Sequence, residues 1–430
     1  MSRAIQYFDF NTHGEIGVLE FNTPDSSANV LSSDALTEFD QCLDKIKGLT
    51  DVKALLITSG KKSIFIAGAD IKEIKSISSA QEASDKCSLG KRILDKLEQL
   101  PQTTIAVING ACLGGGYELA LACNYRVAGF AKSVKIGLPE IKLGILPGFG
   151  GCVRLPKLIG IANALSVILP GKTVDSRQAL KMGMIDRLFY DSILVEEAKK
   201  FARKILANKE RVYRRKRTIP EILLEGNPLG RLLLFKQARR NVLKSTSGHY
   251  PAPLAALDAI RNMVGKSPAE ASRLESQTFG ELCVTEISKN LIHVFYLDEA
   301  YRKKKWTEAK TTLSAISKAG VVGAGVMGGG IAQLLAQKNI VCRIKDLNYQ
   351  ALALALKTAR GVYAYQLKKR RLTTGQVDAQ MSLISPATTY TGFQNAEVVI
   401  EAVVERMDVK QQVFRELDSI VQPNACLFTN

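Results

Sequence analysis

Three consecutive glycines, Gly114, Gly115 and Gly116, limit the local fold more strongly than any other part of this 430-residue chain. They follow a predicted strand over residues 104–108 and open a predicted helix over residues 117–123. Because glycine has no β-carbon, the backbone N–H groups of such a turn can approach a ligand closely. A glycine run by itself more often serves close packing, so other residues must distinguish a binding turn from a packed one.

Strand-like and helix-like segments alternate around this turn. Residues 4–10 and 16–21 predict a β-hairpin, and residues 52–57 predict a short buried strand. Apolar residues recur at helical spacing over residues 36–46, and residues 79–100 also predict a helix. This alternation indicates an α/β architecture.

The order of the segments predicts three parts. Residues 1–190 form the alternating core, and residues 191–310 form a mostly helical extension and connector. The connector includes one long apolar-periodic segment over residues 270–301. Strand and helix alternate again over residues 311–430, so we expect a separate domain there.

The composition excludes several classes of protein. Hydrophobic residues make up 46% of the chain and charged residues 23%, which is ordinary for a globular protein. No apolar stretch is long enough for a membrane-spanning helix, and the first residues lack a signal or transit pattern, so we expect a cytoplasmic protein. Eight cysteines without a CxxC pair, together with only three histidines, predict reduced thiols and no metal site.

The formal net charge of +18 is compatible with a nucleic acid, an anionic membrane surface or a phosphorylated small molecule as partner. The basic runs over residues 211–217 and 302–305 are more often solvated helix faces than binding sites. Few aromatic residues are interleaved with them, which argues against nucleic acid. The charge alone does not choose among these partners.

Two glutamates lie in segments rich in glycine and apolar residues. Glu118 lies just inside the helix that the glycines open, and Glu140 follows in the segment GLPEIKLGILPGFGG. Carboxyl groups in apolar surroundings have raised pKa values and can act as acids. N–H groups at the glycine turn could stabilise an oxyanion. Each glutamate taken alone is more often a surface or paired residue.

Three segments, FIAGADIKEI, INGACLGGGYELALAC and IGLPEIKLGILPGFGG, resemble in order and spacing the signature segments of the crotonase (enoyl-CoA hydratase/isomerase) superfamily. The resemblance implies a crotonase-type ββα superhelix. It also implies that the backbone N–H groups of Ala67 and Gly115 bind the thioester oxygen of the substrate. Gly68, Ala69 and Asp70 would lie along the bound coenzyme A.

The resemblance further implies that Glu118 and Glu140 are the catalytic pair of a fatty-acid β-oxidation enzyme that adds water to a trans-2-enoyl-CoA. Glu118 would help to activate the water, and Glu140 would deliver the proton to the α-carbon. Two alternatives stay open. One is Δ3-Δ2-enoyl-CoA isomerisation, which needs proton shuttling by Glu140 but no water. The other is a non-catalytic crotonase-fold module that binds CoA or RNA.

A second glycine pattern, residues 323–328 (GAGVMG), lies between a strand-like segment and a helical one. The next predicted strand, residues 340–344, ends near Asp346, about 20 residues beyond the pattern. An acid at that place typically binds the ribose hydroxyls of NAD and would repel the 2′-phosphate of NADP. We therefore predict a Rossmann NAD-binding domain with Gly323, Gly325 and Gly328 at the phosphates.

This second domain resembles the NAD-binding domain of 3-hydroxyacyl-CoA dehydrogenases, which implies that Met327, Asp346, Glu405 and Lys410 contact NAD. The order of hydratase, helical connector and dehydrogenase resembles the α subunits of multifunctional fatty-acid β-oxidation complexes. Those subunits associate with a thiolase subunit. The resemblance therefore implies acyl-CoA substrates and, for the complete protein, a thiolase partner.

The C-terminal end departs from the dehydrogenase pattern. Hydride transfer from a hydroxyl group needs a base, yet no histidine follows His293, and the chain stops at Asn430 within a predicted strand. We therefore expect a C-terminally truncated chain with an incomplete Rossmann domain. Its dehydrogenase part would lack a catalytic set, and its NAD binding would be impaired.

Overall fold

The computed structural model describes residues 6–209, 218–303, 315–368 and 371–430. The chain folds into two compact units, Met1–Lys304 and Lys305–Asn430. The predicted basic run over residues 211–217 lies outside the described residues. The predicted division of the first unit at residue 190 stays a prediction.

Ten strands are described in the first unit: β1 Phe8–His13, β2 Ile16–Phe21, β3 Ala54–Ser59, β4 Ile64–Ile66, β5 Thr103–Ile108, β6 Ala111–Leu113, β7 Tyr125–Gly129, β8 Lys135–Gly137, β9 Thr173–Asp175 and β10 Arg187–Phe189. Its α-helices are α1 Ser33–Lys47, α2 Ile71–Ser76, α3 Ala80–Glu98, α4 Gly115–Ala122, α5 Gly151–Ile159, α6 Ile161–Ile168, α7 Ser176–Met182, α8 Leu194–Leu206, α9 Ile219–Gly226, α10 Pro228–Thr246, α11 Pro251–Met263, α12 Pro268–Cys283 and α13 Glu286–Lys303. Short 3-10 helices cover Glu140–Leu143 and Asp191–Ile193.

The strands form two sheets whose connections repeat. The larger sheet has the order β1-β2-β3-β5-β7-β10 and the smaller one the order β4-β6-β8-β9. Each of β3, β5 and β7 lies in the larger sheet. The strand that follows it in sequence (β4, β6 or β8) lies in the smaller sheet, and a helix comes next. Each repeat is thus a ββα unit, which confirms the ββα superhelix expected from the sequence.

Both faces of the larger sheet are covered, because successive side chains of a strand point to opposite faces. In β3, Leu55 and Ile57 belong to the main core, whereas Ala54 and Leu56 pack with Phe201 of α8 in a second core. This explains why β3 is an uninterrupted apolar run rather than an alternating one. The hairpin prediction is confirmed, although β1 extends to His13 and the turn lies at Gly14.

The helical extension differs from prediction in one respect. The sequence has one long apolar-periodic segment over residues 270–301, whereas the structure ends α12 at Cys283 and begins α13 at Glu286. Thr285 makes the break, because its hydroxyl donates to the Leu282 carbonyl oxygen at 2.7 Å and accepts from the Ser288 N–H at 3.2 Å. A threonine hydroxyl can satisfy the free N–H groups that begin a new helix.

The second unit contains a five-stranded sheet with the order β13-β12-β11-β14-β15, and all its pairs are parallel. Its strands are β11 Lys318–Val322, β12 Val341–Lys345, β13 Ile384–Ala387, β14 Val398–Glu401 and β15 Cys426–Thr429. Its helices are α14 Val326–Gln337, α15 Tyr349–Lys368, α16 Thr374–Met381 and α17 Met407–Asp418, with a 3-10 turn at Phe393–Asn395. Parallel strands joined by helices form a doubly wound sheet, as predicted.

Among the described residues, no helix is long and apolar enough to cross a membrane. The same residues contain no group of three or more histidine, cysteine, aspartate or glutamate side chains that could hold a metal ion.

Candidate active site

The glycine turn that begins α4 has a backbone that only glycine adopts readily. Gly114 precedes the helix with φ 51° and ψ −129°. A β-carbon on Gly114 would lie 2.9 Å from Glu140 Oε1. A β-carbon on Gly116 would collide with the backbone carbonyl of Ile66 on β4. Both glycines are therefore needed for close approach, one to a carboxylate and one to a neighbouring strand.

The structure corrects the predicted role of Ala67. Its N–H donates to the Asn29 carbonyl oxygen at 2.8 Å, so this group is already used within the fold. Within the described residues, the N–H groups of Ala69 and Gly115 donate to no protein acceptor. They also lie close together, because a β-carbon on Gly115 would be 3.3 Å from Ala69 N. Among the described residues, the N–H groups of Ala69 and Gly115 are thus two free donors that lie close together.

The Ala69 N–H, rather than the Ala67 N–H, faces the glycine turn because of the way the loop pairs with Leu31. Leu31 forms a parallel bridge with Ala69, in which the Leu31 N–H donates to the Gly68 carbonyl at 2.8 Å and the Asp70 N–H donates to the Leu31 carbonyl at 3.3 Å. In an extended segment, successive N–H groups point to opposite sides. The Asp70 N–H faces Leu31, so the Ala69 N–H faces the glycine turn.

Glu118 lies in the first turn of α4 and is almost fully buried. Its Oε1 accepts the N–H groups of Phe149 and Gly151, each at 2.7 Å. These two donors lie at the start of α5, where backbone N–H groups have no partner within the helix. Burial raises the pKa of Glu118 well above its usual range, as do the charges of Glu140 and Glu275, whereas the two N–H donors lower it.

Glu140 begins a 3-10 turn, its Oε1 lies beside Gly114 of the glycine loop, and its charge acts on Glu118. Its residue surface is partly exposed, but its Oε2 is buried and has no hydrogen-bond partner among the described residues. Burial raises the pKa of Glu140 to about 8; a hydrogen bond from its own backbone N–H lowers the pKa, and the charge of Glu275 adds to the rise. Glu140 is therefore poised to hold a proton near neutral pH.

The two carboxyl groups differ in what they can donate and accept. Glu118 has two N–H donors from the start of α5 that favour its ionised form. Ionised Glu140 is favoured by its own backbone N–H, and its Oε2 accepts no hydrogen bond from the described residues. When two interacting carboxyls share a buried site, the first to ionise is the one whose charged form is better hydrogen-bonded. The arrangement thus supplies one carboxylate base and one carboxylic acid beside two free N–H groups.

A positively charged pocket adjoins the loop that carries Ala69. Asp70 begins α2, where its carboxylate accepts the Lys72 N–H at 2.7 Å. Lys72, Lys75 and Tyr296 line a shallow pocket of about 480 Å³, and the Lys75 ammonium lies 5.5 Å from the centre of the Tyr296 ring. Sequence reasoning missed these three residues. The lysines could have been found from their i, i+3 spacing directly after GAD, but Tyr296 is distant in sequence.

Helix α13 of the extension supports both sides of the site. The Lys289 ammonium donates to the carbonyl oxygens of Ile74, Lys75 and Ile77 at the end of α2, at 2.7 to 3.2 Å. The Ser288 hydroxyl donates to the Leu143 carbonyl at 2.9 Å, at the end of the turn that carries Glu140. The extension therefore belongs to the architecture of the site.

In the second unit, the glycine pattern forms a tight turn between β11 and α14. Gly323 has φ 105°, and β-carbons on Gly323 or Gly328 would collide with backbone carbonyls. Gly325, which precedes α14, faces open space. A helix N-terminus with free N–H groups and no side chain in front of it fits a pyrophosphate.

The remaining predicted NAD residues lie at the same edge of that sheet. Asp346 follows β12 directly, and its Oδ2 accepts the Ala324 N–H of the glycine turn at 2.6 Å. Met327 is exposed in the first turn of α14. Lys410 pairs with exposed Glu405 at 3.0 Å and with buried Glu401 at 3.3 Å. Hydrogen bonding to Glu405, followed by Glu401, raises the pKa of Lys410.

Comparison with known proteins agrees with this geometry. Residues 11–221 match the family model described as enoyl-CoA hydratase/isomerase, and residues 318–430 match that of the 3-hydroxyacyl-CoA dehydrogenase NAD binding domain. The chain is 38% identical to the fatty acid oxidation complex subunit alpha of Shewanella loihica over 404 residues, covering 94% of this chain and 57% of that protein. It is 35% identical to the subunit of the same name from Vibrio parahaemolyticus, covering 96% of this chain and 58% of that protein.

Among solved structures, human mitochondrial Δ3-Δ2-enoyl-CoA isomerase matches with a TM-score of 0.50 and 20% identity, covering 70% of this chain and all of that one. That likeness supports the fold. The chain spans a little more than half the length of the curated relatives that it matches. From these matches and the geometry above, residues 11–221 belong to the enoyl-CoA hydratase/isomerase family and residues 318–430 to the NAD-binding domain family of 3-hydroxyacyl-CoA dehydrogenases.

Proposed function

We propose that the first unit hydrates trans-2-enoyl-CoA thioesters to 3-hydroxyacyl-CoA, as a step of fatty-acid oxidation. The observation that carries the proposal is the placement of Glu118 and Glu140 beside the free N–H groups of Ala69 and Gly115. A conjugated thioester needs a base for water, an acid for the α-carbon and donors for the oxygen on which charge develops.

In this reaction the N–H groups of Ala69 and Gly115 bind the thioester oxygen. Glu118, whose ionised form is favoured by two backbone donors, takes a proton from the water that attacks the β-carbon. Glu140, protonated near neutral pH, delivers a proton to the α-carbon. The N-terminus of α4 adds a partial positive charge that favours the enolate oxygen. Lys72 and Lys75 face the phosphates of coenzyme A. They add to the contacts with coenzyme A that were predicted for Asp70 and its neighbours.

Glu140→Gln tests the proposal. The amide keeps the shape of the side chain but cannot transfer the proton, so we expect hydration to fall by about 10²-fold or more. The assay follows the loss of enoyl thioester absorbance when enzyme meets a trans-2-enoyl-CoA. Glu281→Gln, an exposed position on α12, is the matched control and should keep wild-type turnover. Wild-type protein that binds the thioester without hydrating it would instead support a non-catalytic module.

Δ3-Δ2-enoyl-CoA isomerisation is a second candidate for the same site. It needs one carboxyl group that moves a proton between carbons, and the unpartnered Oε2 of Glu140 fits that need. Glu118→Gln separates the two reactions, because it removes the water base and keeps Glu140. Isomerisation of a 3-enoyl-CoA should then persist while hydration is lost.

For the second unit we propose NAD binding at the carboxyl edge of its sheet. Gly323, Gly325 and Gly328 would face the pyrophosphate, Asp346 the adenosine ribose, and Met327, Glu405 and Lys410 would border the site. The open space at Gly325 and the position of Asp346 support this. Bound NAD would supply a hydride acceptor for a 3-hydroxyacyl-CoA. Titration with NADH tests binding separately from turnover.

We further propose that the chain acts on acyl-CoA substrates in the cytoplasm and that the complete protein associates with a thiolase subunit. The names of its relatives, which are subunits of a fatty acid oxidation complex, support a multisubunit assembly. Co-purification with a thiolase from the same organism tests the partner.

A further inference from the structure

A buried ion pair lies behind the two glutamates and takes no part in the proposed chemistry. Lys91 on α3 is 3% exposed and Glu275 on α12 is not exposed at all. The Lys91 ammonium lies 3.5 Å from Glu275 Oε2 and also donates to the Ser272 carbonyl oxygen. The pair joins the core helix α3 to the helical extension.

The second oxygen of Glu275 reaches the first turn of α5. Glu275 Oε1 accepts the Cys152 N–H at 2.9 Å. The neighbouring N–H groups of Phe149 and Gly151 bind Glu118 Oε1. One helix N-terminus therefore holds two carboxylates, one in the catalytic pair and one behind it. Any movement of this turn moves the donors that orient Glu118.

The same turn is fixed on its other side by α3. The Arg154 guanidinium donates to the Phe149 carbonyl oxygen at 3.0 Å and pairs with Asp95 and, at 3.0 Å, with Glu98. Lys91 and Asp95 are one helical turn apart, so one face of α3 contacts the turn both directly and through Glu275. The arrangement is more elaborate than packing requires.

Burial of an ion pair is poor evidence for stability, because apolar residues of similar volume commonly stabilise a fold as well or better. The charge of Glu275 has a consequence at the site, since it raises the pKa values of both Glu118 and Glu140. The titratable and charged groups that act on Glu275 or on which it acts are Lys91 and Cys87 on α3, Glu118 on α4, Glu140, and Cys152 and Arg154 on α5.

We propose that Glu275, held by Lys91, is a positioning residue for the hydration site: it fixes the α5 turn that orients Glu118 and places a third negative charge behind the catalytic pair. This inference rests on the proposed function and adds to it a residue that lies 157 positions beyond Glu118 in the chain. It also gives the helical extension a part in the chemistry.

Glu275→Gln removes the charge and keeps an oxygen that can accept the Cys152 N–H. Without that charge both catalytic carboxyls should ionise more readily, so the alkaline limb of the kcat profile should move to lower pH by about one unit. KM should change little, because Glu275 does not face the substrate. Glu281→Gln on the same helix removes an exposed charge and should leave the profile unchanged.

Glu275→Leu also removes the acceptor of the Cys152 N–H. We expect an additional loss of kcat of about tenfold, because the turn that orients Glu118 loses one of its contacts. A higher kcat in Glu275→Gln than in Glu275→Leu would show the contribution of turn positioning separately from the effect of charge, because both variants lack the charge. If Glu275→Gln folds poorly, Lys91→Met/Glu275→Gln leaves no buried charge unpaired and should shift the limb in the same direction.

Titration of the protonated-carboxyl infrared band, assigned with Glu140→Gln, measures the same effect without turnover. The midpoint should fall in Glu275→Gln. Unchanged midpoints and pH limbs in Glu275→Gln and in the double variant would overturn the inference. Absence of hydration by the wild type would overturn the proposed function instead, and the infrared midpoint would still decide the role of Glu275.

Discussion

At the scale of single residues, two glutamates of identical chemistry have different surroundings. Glu118 accepts two short backbone hydrogen bonds, whereas Glu140 keeps a buried oxygen without a partner among the described residues. Burial raises both pKa values; the Phe149 and Gly151 N–H groups oppose the rise at Glu118, whereas the opposing hydrogen bond at Glu140 comes from its own backbone N–H. The proposed base and acid are therefore distinguished by N–H donors that come from another helix.

The pH dependence of hydration follows from Glu140. Its raised pKa of about 8 means that the required proton is lost as the pH rises through that value. We expect kcat to fall along an alkaline limb near pH 8, with an acid limb where the pair takes up a second proton. The profile of kcat against pH with a saturating enoyl-CoA checks this. An alkaline limb that stays above pH 10 would contradict it.

The same pKa affects stability with a definite sign. The folded protein holds the Glu140 proton more tightly than the unfolded chain does, so this group favours folding at low pH and the benefit is lost as the pH rises from about 4.5 to about 8. Glu140→Gln cannot lose a proton. Urea unfolding should therefore show the variant gaining stability relative to the wild type between pH 5 and pH 8.5.

At the scale of elements, the site lies where short strands of the smaller sheet enter helices. α4 begins against β4, and α5 directs its first N–H groups toward Glu118. A β-carbon on Gly116 would meet the backbone of Ile66, which cannot move aside as the end of a side chain can. The positions of these elements thus depend on a few glycines, which have no side chain.

Gly116→Ala tests this dependence. The new β-carbon would meet the carbonyl oxygen and β-carbon of Ile66, so α4 must move from β4. We expect a loss of about 1–3 kcal/mol in the free energy of unfolding, as is usual for overpacking, together with reduced hydration. Gly226→Ala, where a β-carbon meets nothing within 4 Å, is the control and should unfold like the wild type. Urea denaturation measures both.

At the scale of the whole molecule, the chain carries two compact units with separate proposed sites. The two units form their proposed sites from different kinds of elements. The first assembles its site from loops, short helices and the helical extension, and the second places its site at the carboxyl ends of parallel strands. Changes confined to the second site should therefore leave hydration unaffected.

Gly325→Asp makes that separation measurable. Aspartate is a favourable residue before a helix and has open space here, yet its charge would repel a pyrophosphate. We expect NADH affinity to fall at least about tenfold while hydration keeps its wild-type rate. Gly361→Asp adds the same charge at an open position on α15 and should leave both unchanged. Equal NADH affinity in Gly325→Asp and the wild type would contradict the proposed site.

The sequence alone determined the fold class and the order of the two domain families, and it singled out the two glutamates that we propose as the catalytic pair. These follow from local features: glycine positions set by backbone conformation, apolar periodicity, and motifs whose residues are close together in the chain. The families of both domains were predicted correctly on that basis. Even the break between α12 and α13 has a local cause in Thr285, although apolar periodicity concealed it.

Only the tertiary structure decided which groups are available. The Ala67 N–H is consumed by Asn29 and the Ala69 N–H is free, because pairing with Leu31 fixes the side toward which each N–H points. Likewise, Glu275 reaches the first turn of α5, beside the donors that bind Glu118, through packing of α12 on the core. The sequence shows which residues are close together along the chain. Whether a group has a hydrogen-bond partner, and how tightly it holds a proton, depends on neighbours that only folding brings close.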